Sequence, residues 1–174
     1  ESNFEKCIKL LDDLPLSKFA AIRVQDIGAA EWVRDKLPEI SIHFIAETGN
    51  HNLTGLLRWH EYFGQQLQRF ALSSELPVST LNNYCRSLTV PCEILAAGRI
   101  LLFYTPRKLL GNYESSKNSF DFMEKILVPS DQQNRQFSTL ENQHGTFMYH
   151  HKDLFLLDFI PELQKINLKV LRLD

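Results

Sequence analysis

Residues 19–46 read Phe19-Ala-Ala-Ile-Arg-Val-Gln25, Asp26, Ile27-Gly-Ala-Ala-Glu-Trp-Val-Arg-Asp-Lys-Leu37, Pro38-Glu39, and Ile40-Ser-Ile-His-Phe-Ile-Ala46. The first stretch is short and apolar, as a strand requires. Asp26 is a side-chain acceptor placed to cap the helix that follows, and Ile27, Ala30, Val33 and Leu37 recur at helical spacing. Pro38 has no N–H to continue that helix, and a second apolar strand begins at once. Strand, helix and strand within 28 residues form one βαβ unit, whose two strands lie parallel.

The same rhythm extends outward. Upstream, Phe4, Cys7, Ile8, Leu11 and Leu14 mark one face of an amphipathic helix over residues 3–14. Downstream, Asn52 caps a helix over about 53–63, with Leu53, Leu56, Leu57, His60 and Phe63 on one side. Arg69–Ser73 is a third strand. Pro77 opens a helix with Val78, Leu81, Cys85 and Leu88 inward, and Pro91–Ala97 is a fourth strand ended by Gly98. Strands recurring every twenty-odd residues suit a β/α barrel or a doubly wound sheet. The Gly-rich nucleotide-binding motifs that would favour the open sheet are absent.

After Gly98 the rhythm changes. Ile100–Tyr104 is apolar, Tyr113–Ser119 is polar, and Lys125–Val128, Arg135–Leu140 and Thr146–Tyr149 read as short strands. Glu141-Asn-Gln-His-Gly145 has hairpin-turn chemistry. Asp158 then precedes a helix carrying Ile160, Leu163 and Ile166, and Leu168–Leu173 is a last strand. The expected fold is α/β: a partial parallel β/α (TIM-like) barrel with a small antiparallel insertion near residues 124–150. The expected organisation is one barrel-like domain over 1–174, with a β-rich segment inserted over 99–150. About five parallel strands fall short of the eight of a closed barrel, so further strands, a partner subunit or a second copy is expected to complete it.

Composition narrows the function classes. The 174 residues are 44% hydrophobic and 23% charged, with net charge −2 and pI near 6.3. That balance supplies no chain-wide attraction to nucleic acid or anionic membrane, although a local basic patch is compatible with it. No apolar run is long enough to span a bilayer, and the N-terminus lacks a secretory pattern, so a cytoplasmic location is expected. Cys7, Cys85 and Cys92 are widely spaced and odd in number. Reduced, mostly buried thiols are expected, with no disulfide framework and no metal site.

In a barrel, reactive groups gather at the carboxyl ends of strands. Those positions hold Asp26, then Glu47, Asn50 and His51, then Ser73, Ser74 and Glu75, then Gly98 and Arg99. Glu93 lies within its strand. Glu47, Glu75 and Glu93, with Tyr104 and Arg107, form the candidate catalytic set. Asp26, Asn50, Asn52 and Arg99 form the candidate substrate-binding set. Clustered carboxylates raise one another's pKa and a nearby Arg lowers it, which is how a general acid or base is tuned. The bland alternatives are a helix cap for Asp26, a solvated charge for Glu75 and an Arg partner for Glu93. His150-His151 with Asp153 is the best local metal cluster, but adjacent strand residues face opposite ways. Arg99 and Thr105-Pro106-Arg107-Lys108 form a basic stretch able to hold phosphate.

Val24–Gly28, Asn50–Asn52, Leu72–Leu76, Cys92–Gly98, Tyr104–Lys108, Gly145–Tyr149 and Lys152–Leu157, in that order, resemble the collagenase-like peptidase family U32. The resemblance runs from about residue 20 to 173. It implies a β/α barrel and a hydrolase of unidentified peptide substrate. It also implies an alternative, because several members are linked to hydroxylation of RNA or of ubiquinone precursors through a cysteine-held iron–sulfur cluster. Glu75, Glu93, Gly98, Tyr104 and Arg107 carry over by position. The chain departs from the family pattern at Ala97, where His is usual, and at Lys108, where Cys is usual. No cysteine follows Cys92, so no cofactor is expected: a four-thiolate cluster cannot come from this chain. An accessory barrel that binds RNA or a partner subunit is the corresponding non-peptidase expectation.

Overall fold

The structure is a computed structural model and describes residues 2–47, 52–110 and 125–174. The chain forms two compact units, Glu1–Leu95 with Phe159–Arg172, and Ala96–Asp158 with Leu173–Asp174.

In the first unit, α1 (Ser2–Asp12) precedes an alternation of β1 (Ile22–Val24), α2 (Ile27–Lys36), β2 (Ile42–Ile45), α3 (Leu53–Phe63), β3 (Leu67–Ala71), α4 (Val78–Ser87) and β4 (Cys92–Gly98). The first three pairings are parallel. A short helix α5 (Ile160–Leu163) leads to β10 (Val170–Leu173), which lies beside β4 in the order β1-β2-β3-β4-β10. The fold is therefore mixed α/β around a parallel sheet.

Strand alternation sorts the side chains to two faces. Val24, Phe44, Phe70 and Cys92 are register neighbours across four strands and form one buried row. Helical residues Ala30, Val33, Leu56, Phe63, Leu81 and Cys85 are buried with them. Phe44 anchors this core, with ring centroids 5.7 Å from Trp59, 5.8 Å from Phe63 and 6.3 Å, edge-on, from Phe70. The row on either side of it, Arg23, His43 and Arg69 and then Ile45, Ala71 and Glu93, faces the other way.

That placement depends on an irregularity. Ile42 pairs with Leu67 and the next residue, His43, pairs with Arg69, so Gln68 is an extra residue in β3. A β-bulge shifts every later side chain to the opposite face. Here it keeps both Leu67 and Phe70 in the core while turning Arg69 onto the opposite face.

Helix interiors follow the apolar spacing, but their first turns do not. Ile27 is 41% exposed and Val78 is 56% exposed, whereas Ala30, Val33, Leu81 and Cys85 are buried. α1 departs further from expectation. Leu10, Leu14 and Cys7 are exposed, so its apolar stripe is not core and only two of the three thiols are buried.

In the second unit, the end of β4 pairs antiparallel with β9 (Leu154–Phe155). A separate antiparallel sheet has the order β5-β8-β7-β6, made of Leu101–Thr105, Gly145–Tyr149, Thr139–Asn142 and Lys125–Leu127. β7 begins at Thr139, later than the strand expected over 135–140. Residues 131–135 instead make a turn in which Asp131 accepts the backbone N–H groups of Gln133 and Arg135, which diverts them from a ladder. The expected polar segment Tyr113–Ser119 lies outside the described residues.

Gly145 starts β8 at φ +129, a conformation that disfavours side chains. A Cβ there would overlap the carbonyl of Thr105 and sit 2.8 Å from Pro106 Cα, both rigid backbone. Gly145→Ala is expected to lower Tm by about 4–8 °C, as a loss of roughly 2 kcal/mol does in a domain of this size. Differential scanning calorimetry checks this; an unchanged melting profile would refute the close approach.

Candidate functional site

On the face of the parallel sheet opposite Phe44, Glu93 is 2% exposed and charged groups converge on it. Arg23 of β1 donates from Nη1 to Oε1 at 2.8 Å, and Arg69 of β3 donates from Nη1 to Oε2 at 3.1 Å. Arg172 of β10 lies 3.7 Å from Oε1 and 2.8 Å from Glu47 Oε1, so it bridges the two carboxylates. Burial opposes a charge on Glu93, but the hydrogen bonds and charges of Arg23 and Arg69 win and hold its pKa below the usual carboxylate value. Glu93 is thus an anion kept ionised by its surroundings. A general acid needs the opposite tuning.

His43, between Arg23 and Arg69 in register, has its pKa lowered by burial first and by Arg69 and Arg23 next, against a smaller upward pull from Glu93. It is neutral at pH 7. The site is therefore a row of donors, two cationic and one neutral, beside a sequestered carboxylate.

The sequence-derived candidates separate. Glu47 and Glu93 come together through Arg172. Glu75 stands exposed in the loop after β3, its N–H donating to Ser73 Oγ at 3.2 Å, and it takes no part in this network. Asp26 and Asn52 serve as helix caps, accepting the N–H groups of Ala29 and Gly55 at 2.8 Å each. Asn50 and His51 lie outside the described residues. Arg23, Arg69 and Arg172 are not among the candidates read from the sequence, and His43 reads there as a packed or exposed strand residue rather than a ligand. Their signal was a basic residue beside strand apolar residues, as in Ile22-Arg-Val24, Ile42-His-Phe44 and Leu171-Arg-Leu173.

Arg99, Tyr104 and Arg107 belong to the second unit. Leu101, Leu102, Phe103 and Tyr104 of β5 are each 43–49% exposed, on a strand at the end of its sheet. Tyr104 packs at 4.8 Å from the Phe147 ring and donates its hydroxyl to the His144 carbonyl at 3.1 Å, which fixes the ring. Arg99 lies 3.7 Å from Asp153, a largely exposed pair. Arg107 and Lys108 are exposed just beyond the strand and have no ion pair among the described residues.

The backbone of that basic loop is clamped by a group read from sequence as part of a turn. Glu141, 3% exposed in β7, accepts the Leu110 N–H at 2.7 Å. Thr146 Oγ1 receives the Leu109 N–H at 3.1 Å and sits 2.9 Å from both the Glu141 carboxylate and the Arg107 carbonyl. Residues 107–110 are thereby held against β7 and β8.

His150 and His151 lie beyond the end of β8, so strand alternation does not separate them, and their ring centroids are 4.2 Å apart. Among the described residues no group of three or more His, Cys, Asp or Glu could hold a metal ion. Cys85 and Cys92 are buried, with Cys92 Sγ donating to the Val90 carbonyl at 3.8 Å; the neighbouring Cys85 thiol and burial push the Cys92 thiol up, and Cys7 is exposed on α1. Three thiols so distributed do not fit a four-thiolate iron–sulfur cluster. Among the described residues no helix is long and apolar enough to cross a membrane.

Neutralising the central carboxylate tests the network. Glu93→Gln leaves guanidinium groups facing one another and is expected to cost about 2–3 kcal/mol at neutral pH, less than for a fully buried pair because the guanidiniums are partly solvated. Because Glu93 titrates lower folded than unfolded, its contribution is present above the ordinary value of 4.5 and disappears as pH falls through the depressed one. His43 acts in a different window. It binds a proton more readily unfolded, so stability also declines below about 6.5, and His43→Gln is expected to remove that slope. Urea unfolding at several pH values reads both effects; identical pH profiles for parent and variants would refute the assignment.

The profile of peptidase family U32 matches residues 1–174. The tRNA hydroxylation protein P2 of Bacillus subtilis (strain 168) is 22% identical over 148 residues, which is 81% of this chain and 47% of that protein. The chain thus spans about half the length of this curated relative. No solved structure matches. With a family match that runs from the first residue to the last, the chain belongs to peptidase family U32.

Proposed function

We propose that this chain acts in RNA hydroxylation as an RNA-binding, accessory part of a β/α barrel, and that a single-stranded RNA segment lies along β5 and the loop after it. The observation that carries the reading is the exposed aromatic and basic surface of the second unit. Tyr104 offers an exposed ring, and Arg107 and Lys108 follow on a clamped backbone. Rings that stack bases and cations that meet phosphates are the two requirements of single-strand binding. The tRNA hydroxylation role named for the relative supports the choice of RNA. The charge-neutralised Glu93 and the isolated Glu75 give a peptidase reading less support, since neither is paired as a general base for hydrolysis. In this reading β1 and β10, the two ends of the parallel sheet, are where a second copy or a partner subunit adds strands to complete a barrel.

Fluorescence anisotropy with unmodified tRNA is the test. Affinity is expected to fall steeply with salt. Arg107→Ala is expected to reduce the slope of log affinity against log salt by about 1. Tyr104→Ala is expected to weaken binding by roughly 5- to 100-fold. Equal affinity of the parent and both variants would overturn the proposal, as would gelatin hydrolysis abolished by Glu75→Ala.

A further inference from the structure

The polar face of the first unit carries more positive than negative charge where its side chains meet. Among the described residues Arg23 and Arg69 share one carboxylate, Glu93, so two guanidiniums meet a single anion there and positive charge is in excess around it. His43 stands between Arg23 and Arg69 in register. Such an excess is costly at a half-buried position unless an anion balances it. The donors are also underused. Arg23 and Arg69 each give one N–H to Glu93, and among the described residues Arg69 Nε is buried without a hydrogen-bond partner. Their side chains remain 35% and 30% exposed, so solvent and solutes reach them.

We propose that Arg23, His43 and Arg69 form a binding site for a phosphate group on the face of the parallel sheet opposite Phe44. Adjacent parallel strands lie about 4.8 Å apart, so one residue from each of three strands gives donors spread over roughly 10 Å at their bases. Arg23 and Arg69 then converge toward the two oxygens of Glu93. A tetrahedral oxyanion offers three free oxygens to three donors, and planar guanidiniums suit it by two-point contact. A carboxylate has only two oxygens and matches the row less well. Glu93 organises the site: it holds both guanidiniums in place without neutralising them fully.

The shared chemistry is a phosphate, whether on a small phosphomonoester or in an RNA backbone. Binding also links to protonation. The groups facing His43 are Arg23 on β1, Arg69 on β3 and Glu93 on β4. An added anion favours the imidazolium, so binding tightens as pH falls.

The experiment follows the His43 imidazole by NMR in the full chain while inorganic phosphate is added at constant ionic strength, with chloride as the balancing salt. The expected result is a saturable shift that sulfate competes for and acetate does not. Sulfate, which does not titrate in this range, is expected to bind more tightly at pH 6 than at pH 8. Arg69→Gln is expected to weaken phosphate binding tenfold or more, while Arg58→Gln, on the solvent side of α3, leaves it unchanged. Should Arg69→Gln fail to fold, the sulfate and acetate competition on the unmodified chain decides alone. Tighter binding of adenosine monophosphate than of phosphate assigns the site to a phosphomonoester, whereas displacement of phosphate by tRNA assigns it to the RNA backbone. Phosphate binding by Arg107→Ala is expected to equal that of the parent, so this site and the RNA surface of the second unit fail separately. A His43 response that is the same for phosphate and chloride, or is as easily displaced by acetate as by sulfate, would overturn the proposal.

Discussion

A carboxylate taken out of water needs cations around it, and Glu93 imposes that requirement on the parallel sheet. Its two oxygens take N–H donors from β1 and β3, with β10 adding a third guanidinium nearby. The partners lie 70 and 24 residues away in the chain, so the ion network forms only when strands remote in sequence have paired in the right register. A slip of one residue would bury Arg23 or Arg69 against the helices and leave Glu93 alone. The bulge at Gln68 belongs to the same constraint, because it lets one strand serve an apolar core and a charged face at once.

The second unit handles a buried carboxylate differently. Glu141 has no guanidinium partner among the described residues; it takes a backbone N–H and a threonine hydroxyl. The result is a mechanical function, since the donors belong to the loop carrying Arg107 and to the strand that the loop crosses. Gly145 allows the crossing by having no side chain where the backbone of Thr105 and Pro106 passes. One carboxylate gathers charge and the other fixes a loop. The difference lies in what reaches each of them.

Much of the architecture was legible from residue order. Asp26 and Asn52 do cap α2 and α3, Pro77 does open α4, and the apolar runs of the first half are parallel strands. The expected rim of carboxylates was only half legible. Glu47 and Glu93 meet through an arginine, but Glu75 is solvated on its loop, since a position after a strand says nothing about where a flexible side chain turns. The basic members of the site do not stand out in the sequence as a group because each sits singly inside a short apolar strand. Only their common face makes them a group. α1 shows the opposite limit: helical spacing is present, yet Leu10 and Leu14 remain exposed, because amphipathicity states what a helix can cover and not what is there to be covered.

The sequence by itself determined the succession of elements, their caps and stops, and the family, because these follow from local hydrogen bonding and from the spacing of apolar residues along the chain. The tertiary structure alone decided which charges share a face, which carboxylate is buried, and that one glycine must stay a glycine. Register and bulges set those outcomes, and they arise from pairing between segments whose mutual placement no local pattern encodes.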